Sequence, residues 1–219
     1  MKQKYYLILA IGLYLGLLYT PGLRLIAFPI EMLCTFLHEF GHAFFAMISG
    51  GHVYSLCVNL DGSGVTTTSG GSSGLLTMGG YIGSALFGNM MIALSKSYKS
   101  NMIFKLLSAL MIISAIFWYN NITTTTLLVI YGTVMFIVSV ILPRDIQSFL
   151  LTFLGVASVI YIIQDFNVGP TSDLQAYESE VGIFSASIWM YIWLIIVLVM
   201  TTINAIRIFK IKEKNDELI

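Results

Sequence analysis

The residues HEFGH, at positions 38 to 42, stand inside an otherwise apolar run. Residues four apart share one face of a helix, so His38 and His42 can offer two imidazoles to one metal ion. Glu39 stands beside them, where its carboxylate can polarise a bound water. The chain has only three histidines, so a chance pair at this spacing beside a glutamate is improbable. The motif predicts a zinc site with Glu39 as general base.

The composition of the chain strengthens this interpretation. It is 57% hydrophobic and 10% charged, with a mean hydropathy of +0.86, which is typical of a membrane protein. An ionisable group at the centre of a membrane span costs about 2.5 to 3.5 kcal/mol, and the motif holds three of them. A merely structural role would seldom sustain that cost. A zinc ion would offset it, because zinc binds the imidazoles in their neutral form and Glu39 can hydrogen-bond to the zinc-bound water.

Charge and cysteine content exclude other classes. Eleven basic and eleven acidic residues give a net charge of zero, so no nucleic-acid partner is expected. Cys34 and Cys57 form no disulfide framework and are interpreted as packing residues. A transporter would distribute its buried charges over several helices, whereas here they form one compact motif.

Apolar runs of bilayer length predict an all-α polytopic membrane protein with about seven transmembrane helices. A polar stretch, residues 52–74, has β-rich runs on either side of residues 61–64 and predicts a small β-hairpin between the second and third helices. We expect a single integral-membrane domain over residues 1–219. The predicted spans are residues 5–20, 24–49, 74–95, 102–118, 124–142, 146–163 and 183–206.

Catalytic zinc normally takes three protein ligands, so the motif requires a third. His52 follows a glycine turn and is better interpreted as an interfacial histidine, and Cys34 as a small hydrophobe. Glu31 lies two turns before His38, about 10 Å away, which is too far for the same ion. Four predicted crossings separate the end of the second helix from residues 164–182, so this acidic stretch returns to the same side. Its candidate ligands are Asp165, Asp173, Glu178 and Glu180.

Three stretches of the sequence carry a family resemblance. HEFGHAFFAMISGGHVYSL, the hairpin-like segment and the glycine-rich GLLTMGGYIGSALFG resemble the site-2 protease family of intramembrane zinc metalloproteases, in its M50B-like branch. In FNVGPTSD, residues Asn167, Pro170 and Asp173 match the family's Asn, Pro and ligand Asp, although Leu174 stands where a glycine commonly follows. The resemblance implies that Asp173 is the third ligand.

The resemblance also implies the activity. It is that of a zinc metalloendopeptidase with one Zn²⁺ per chain, in which Glu39 activates a zinc-bound water to hydrolyse peptide bonds in or near transmembrane segments of membrane-protein substrates. The family core would be residues 24–95 and 146–207, with the helices in 102–142 as an insertion. The alternative is a zinc-binding membrane protein of this fold that acts as a non-proteolytic regulatory or binding partner.

Substrate contacts are expected at two places. The family receives an unwound substrate along the edge of its hairpin, which here has Val65, Thr66 and Thr67. Asn167 would bind substrate backbone or stabilise the oxyanion. A plain connecting hairpin and a turn-forming asparagine are the alternatives. The oligomeric state cannot be inferred from the sequence.

The distribution of basic residues predicts the orientation. If all seven spans cross, Lys2 and Lys4 lie on the side of the acidic stretch and the other basic residues lie opposite. The positive-inside rule then puts the C-terminus in the cytoplasm and the catalytic end outside, whereas site-2 proteases keep zinc nearer the cytosol. We expect a multi-pass protein of a bacterial plasma membrane. The opposite group is Arg24, Lys96, Lys99, Lys105, Arg144, Arg207, Lys210, Lys212 and Lys214.

Overall fold

The structure, a computed structural model, describes residues 2–95 and 100–210. Four of the basic residues used to predict the orientation lie outside the described residues: Lys96, Lys99, Lys212 and Lys214. The elements in chain order are α1 (Lys2–Tyr19), α2 (Arg24–Ile48), β1 (His52–Val58), β2 (Gly64–Ser69), α3 (Ser73–Leu94), α4 (Ser100–Phe117), α5 (Ile122–Ile141), α6 (Arg144–Phe166), α7 (Ser172–Val181) and α8 (Ala186–Lys210).

Five of these helices, α3, α4, α5, α6 and α8, are each long and apolar enough to cross a membrane. Helices α1 and α2 meet the same criterion only as a pair, bent by 114° between them. The described part of the chain therefore has five or six candidate spans, and the seven predicted crossings are not confirmed. The break falls at Thr20, Pro21 and Gly22. Gly22 has a φ of +84°, a backbone conformation that residues other than glycine rarely adopt.

The bend corrects the expected positions of two basic residues. Gln3, next to Lys4, donates hydrogen bonds to the Ile92 carbonyl and the Ser95 hydroxyl, each at 2.9 Å. Helix α1 therefore begins beside the end of α3. Arg24, after the bend, lines a cavity together with Asp165. The expectation that Lys4 lies with the acidic stretch and Arg24 opposite it is wrong, because Lys4 lies beside the end of α3 and Arg24, after the 114° bend, lies beside Asp165.

Glycines bring α2, α3 and α6 into close contact. A Cβ atom at Gly83 would lie 2.9 Å from the Gly41 Cα, and one at Gly155 would lie 2.5 Å from the Gly88 carbonyl oxygen. Real Cβ atoms essentially never come so near, so these backbones approach only because the side chains are missing. The result is a tight three-helix core around the HEFGH motif.

The predicted hairpin is confirmed. Strands β1 and β2 pair antiparallel, with Leu56 opposite Thr66. The outer edge of β1 is occupied, because Leu56 N donates to the Trp118 carbonyl at 3.0 Å and the Thr124 hydroxyl bonds Val58. The sheet has two strands, so no strand of the described chain covers the outer edge of β2. Burial along β2 alternates, which gives it one inner and one exposed face.

Helices α4 and α5 pack beside α2, where Phe104, Met111 and Leu128 share an apolar cluster with Met32 and Phe36. This cluster supports the face of α2 that lies opposite the acidic stretch, residues 164–182. The single domain, and its division into a family core and an inserted helix pair, stay predictions.

Candidate metal centre

His38 and His42 direct their Nε2 atoms at one oxygen of Asp173. The distance to Asp173 Oδ2 is 2.9 Å from His38 and 3.1 Å from His42, and the two Nε2 atoms lie 3.1 Å apart. Within residues 2–95 and 100–210, these three side chains form the group that could hold a metal ion. Helices α3 to α6 each qualify as a span, so the return of the acidic stretch to the histidines agrees with four intervening crossings.

The three atoms fit a zinc ion in size. Zn–N and Zn–O bonds of about 2.0 to 2.2 Å in a tetrahedral site put neighbouring ligands about 3.3 Å apart. The observed separations of 2.9 to 3.1 Å need only a few tenths of an ångström of outward movement. Two imidazoles and a carboxylate leave a fourth position free, which is the composition of a catalytic zinc site.

The backbone of α3 sets the tautomer of His42. Its Nδ1 lies 2.7 Å from the carbonyl oxygen of Leu76, and a carbonyl can only accept, so Nδ1 carries a hydrogen. In the neutral ring, Nε2 then presents a lone pair toward Asp173 Oδ2, which is itself an acceptor. Two acceptor atoms that face each other repel, and a cation bound between them would turn this repulsion into attraction. A carbonyl behind the outer nitrogen is also the usual support for a histidine that binds a metal.

Glycine at position 80 keeps the centre open. A Cβ atom there would lie 2.5 Å from His38 Cε1 and 2.5 Å from His42 Nε2. Gly80 is on α3, directly opposite the HEFGH turn of α2. Any side chain at this position would therefore occupy the space between the imidazoles.

The carboxylate of Glu39 is buried and is contacted by β2. The Thr66 hydroxyl lies 2.7 Å from Glu39 Oε2 and 3.0 Å from the Glu39 carbonyl oxygen. A Cβ atom at Gly64 would lie 2.6 Å from Glu39 Oε1. The inner face of the strand thus encloses the predicted general base.

His38, Glu39 and Asp173 line a cavity of about 290 Å³. Two tyrosines complete its walls. Tyr81 packs edge-on against the His38 ring, with 4.6 Å between centroids, and its hydroxyl donates to Asp165 Oδ2 at 3.3 Å. The Tyr161 hydroxyl forms a hydrogen bond with the Thr35 hydroxyl at 3.1 Å. The cavity therefore combines two members of the candidate metal-binding group, His38 and Asp173, with a carboxylate and hydroxyl groups that can contact a polar substrate.

Helix α7 holds Asp173 in place from outside the candidate spans. Leu174 is fully buried, and Tyr177 packs edge-on against Trp189 and Trp193 at 4.8 and 4.9 Å. Burial alone would raise the pKa of Asp173, whereas the two neighbouring imidazoles, when protonated, donate hydrogen bonds and positive charge that hold that pKa below its usual range. An ionised carboxylate is the form that binds a cation.

The other candidate ligands lie elsewhere. His52 packs against Tyr54 on β1, 4.8 Å between ring centroids, and Cys34 is buried in an apolar cluster. Glu31 lines an adjoining cavity, and Asp165 lines the metal cavity without joining the ligand group. The other two acids of α7 also lie outside the ligand group. Glu178 accepts from the Ala186 N–H at 2.8 Å, and Glu180 is exposed.

The proposed substrate contacts divide into two groups. Val65 and Thr67 lie on the exposed face of β2, whereas Thr66 points to Glu39. Asn167 lines a separate apolar cavity beside Tyr19. Their substrate-binding roles stay predictions. The sequence interpretation missed the Thr66 and Leu76 contacts, and the only available signal for Thr66 was the two-residue alternation of GVTTTS, which groups it with Gly64.

Comparisons with known proteins agree with this geometry at the level of the family. No curated protein and no solved structure matches the chain. A family model, described as Peptidase M50B-like, matches residues 7–204. This match spans the candidate ligands His38, His42 and Asp173 and most of every candidate span. The chain therefore belongs to the Peptidase M50B-like family.

Proposed function

We propose that this protein is an intramembrane zinc metalloprotease that hydrolyses peptide bonds in or near transmembrane segments of membrane-protein substrates. The observation that carries the proposal is the convergence of His38, His42 and Asp173 on one point, beside a cavity that His38, Asp173 and the predicted base Glu39 line. Membership of a peptidase family and the five or six apolar candidate spans of the described residues support it. The ligand set suits one Zn²⁺ per chain.

The residues of the site divide the chemistry between them. A zinc ion bound by His38, His42 and Asp173 would supply a Lewis acid that polarises the substrate carbonyl and makes water more acidic. Glu39 accepts the proton that the attacking water loses and delivers it to the amine nitrogen that leaves. Leu76 keeps the Nε2 lone pair of His42 directed into the centre.

The free edge of β2 is the proposed substrate-binding strand. A peptide bond within a helix is shielded by its own hydrogen bonds, so a substrate must unwind before attack. An extended peptide can then pair with backbone groups at Val65, Thr66 and Thr67. Occupation of the outer edge of β1 by Trp118 and Thr124 leaves β2 as the available edge, and Gly64 of β2 lines the metal cavity.

We also propose an orientation in the membrane. If α1 and α2 make one broken span, the six crossings put both termini on one side. Among the described residues, Lys4, Arg144, Arg207 and Lys210 belong to this side, whereas Arg24 lies near the metal cavity, in an adjoining cavity. The positive-inside rule then favours cytoplasmic termini and a metal centre nearer the opposite surface. A bacterial plasma membrane remains the expected location.

Cleavage of a transmembrane peptide tests the function. The probe is a panel of synthetic apolar helices of about 20 residues, each carrying a fluorophore and a quencher, in detergent micelles with the purified protein. We expect wild type to cleave at least one peptide. Glu39→Gln should lower the rate by at least about 100-fold while its zinc content remains that of wild type. A zinc-loaded wild type that cleaves no peptide would favour the non-proteolytic alternative.

A further inference from the structure

We propose that Thr66 is a positioning residue for the general base Glu39, so that the strand which receives the substrate also fixes the base. This inference rests on the proposed function. Its starting point is the 2.7 Å contact between the Thr66 hydroxyl and Glu39 Oε2, which joins β2 to α2 across 27 residues of sequence.

The Thr66 hydroxyl has one hydrogen and two acceptors within reach. The Glu39 carbonyl oxygen lies at 3.0 Å and the carboxylate Oε2 at 2.7 Å. The shorter contact goes to the carboxylate oxygen. The hydroxyl therefore donates to Oε2, and the lone pairs of Oε1 are left to take the proton of a water.

Gly64 limits the movement of the same carboxylate. It lies two residues before Thr66 on the inner face of β2, and a Cβ atom there would lie 2.6 Å from Oε1 and 2.6 Å from Cγ. The carboxylate is thus held between a hydroxyl on one side and a bare backbone on the other. Because Glu39 is buried, little space remains for a different side-chain rotamer.

The register of the hairpin determines this contact. Thr66 pairs with Leu56, and Leu56 N is anchored to the Trp118 carbonyl. A shift of one residue would exchange the faces of the strand and remove the Thr66 hydroxyl from Glu39. The geometry therefore couples the proposed substrate edge to the base through one strand.

The kinetic test compares three threonine variants on a peptide that wild type cleaves. Thr66→Val removes the hydroxyl with little change of shape, and Thr66→Ser retains it. Thr68→Val makes the same change two residues further along β2. We expect Thr66→Val to lower kcat by about 10-fold or more, with KM changed less than about threefold and zinc content retained. Thr66→Ser should recover most of kcat, and Thr68→Val should match wild type.

The opposite results overturn the inference. A Thr66→Val protein with wild-type kcat, or one that fails only through a raised KM, would show that Thr66 does not position the base. Loss of zinc from Thr66→Val would assign the hydroxyl to support of the metal ligands instead. Failure of Thr66→Ser to recover kcat would assign the defect to altered packing.

A second measurement needs no substrate and separates this inference from the proposed function. Thermal unfolding midpoints are compared for wild type, Thr66→Val, Glu39→Met and the double variant. We expect Thr66→Val to lower the midpoint by a few degrees in the wild-type background. In the Glu39→Met background it should have little effect, because a methionine side chain cannot replace the carboxylate as acceptor. Equal losses in both backgrounds would overturn the contact. If the cycle shows coupling and no peptide is cleaved, the geometry stands and the protease proposal fails.

Discussion

Gly80 of α3 leaves open the space into which His42 of α2 directs its Nε2 atom. A Cβ atom at position 80 would lie 2.5 Å from that nitrogen, less than the separation of two ligands around one zinc ion, about 3.3 Å. The glycine therefore shapes the candidate metal centre although it offers no ligand atom. The same position allows the close approach of α3 to α2 and leaves room for a metal ion between the imidazoles.

Gly80→Ala should prevent normal zinc binding. The added methyl group cannot move away, because α3 is held against α2 at Gly79 and Gly83, so the imidazoles must shift. We expect the zinc content of the purified protein to fall to less than about half of wild type, as measured by mass spectrometry of the metal. Gly12→Ala is the control, since nothing lies within 4 Å of a Cβ atom there. Full zinc in Gly80→Ala would contradict the described geometry.

Tyr81 should support His38 through its ring more than through its hydroxyl. Tyr81→Phe keeps the edge-on contact at 4.6 Å and removes the hydrogen bond to Asp165, whereas Tyr81→Leu removes both. We expect Tyr81→Phe to retain zinc affinity within about threefold and Tyr81→Leu to lose about tenfold or more, which is typical for a group that orients a ligand. A competition titration against a zinc chelator measures both. Equal affinities for the two variants would contradict the role of the ring.

Glu178 should stabilise the helix that carries Asp173. Its Oε2 accepts from the Ala186 N–H and so ties α7 to the first turn of α8. Glu178→Ala should lower the stability by about 1 kcal/mol, the usual value of a helix cap, and weaken zinc binding. Glu180→Ala, which removes the other exposed glutamate of the same helix, is the matched control. Identical unfolding midpoints for the two variants would show that the cap does not hold α7.

The grouping of the three candidate ligands was more predictable from the sequence than the contacts that surround them. The spacing of His38 and His42 fixes a shared helix face, and the resemblance at FNVGPTSD selects Asp173, which meets both imidazoles. The 114° bend between α1 and α2 could not be predicted, because an apolar run shows its length but not whether it crosses. Arg24 was misplaced for that reason. Contacts such as that of Thr66 with Glu39 depend on how the hairpin folds back along α2. The alternation of β2 shows which residues share a face, but it does not show which residue of α2 that face contacts.

Zinc content per chain, measured on detergent-purified protein prepared without chelators, tests the central claim most directly. Wild type is compared with Asp173→Ala and with Asp165→Asn, a carboxylate of the same cavity that lies outside the ligand group. We predict about one zinc per chain in wild type and in Asp165→Asn, and a clear loss in Asp173→Ala. Wild type without zinc would contradict the metalloprotease account, and undiminished zinc in Asp173→Ala would contradict the three-residue metal centre.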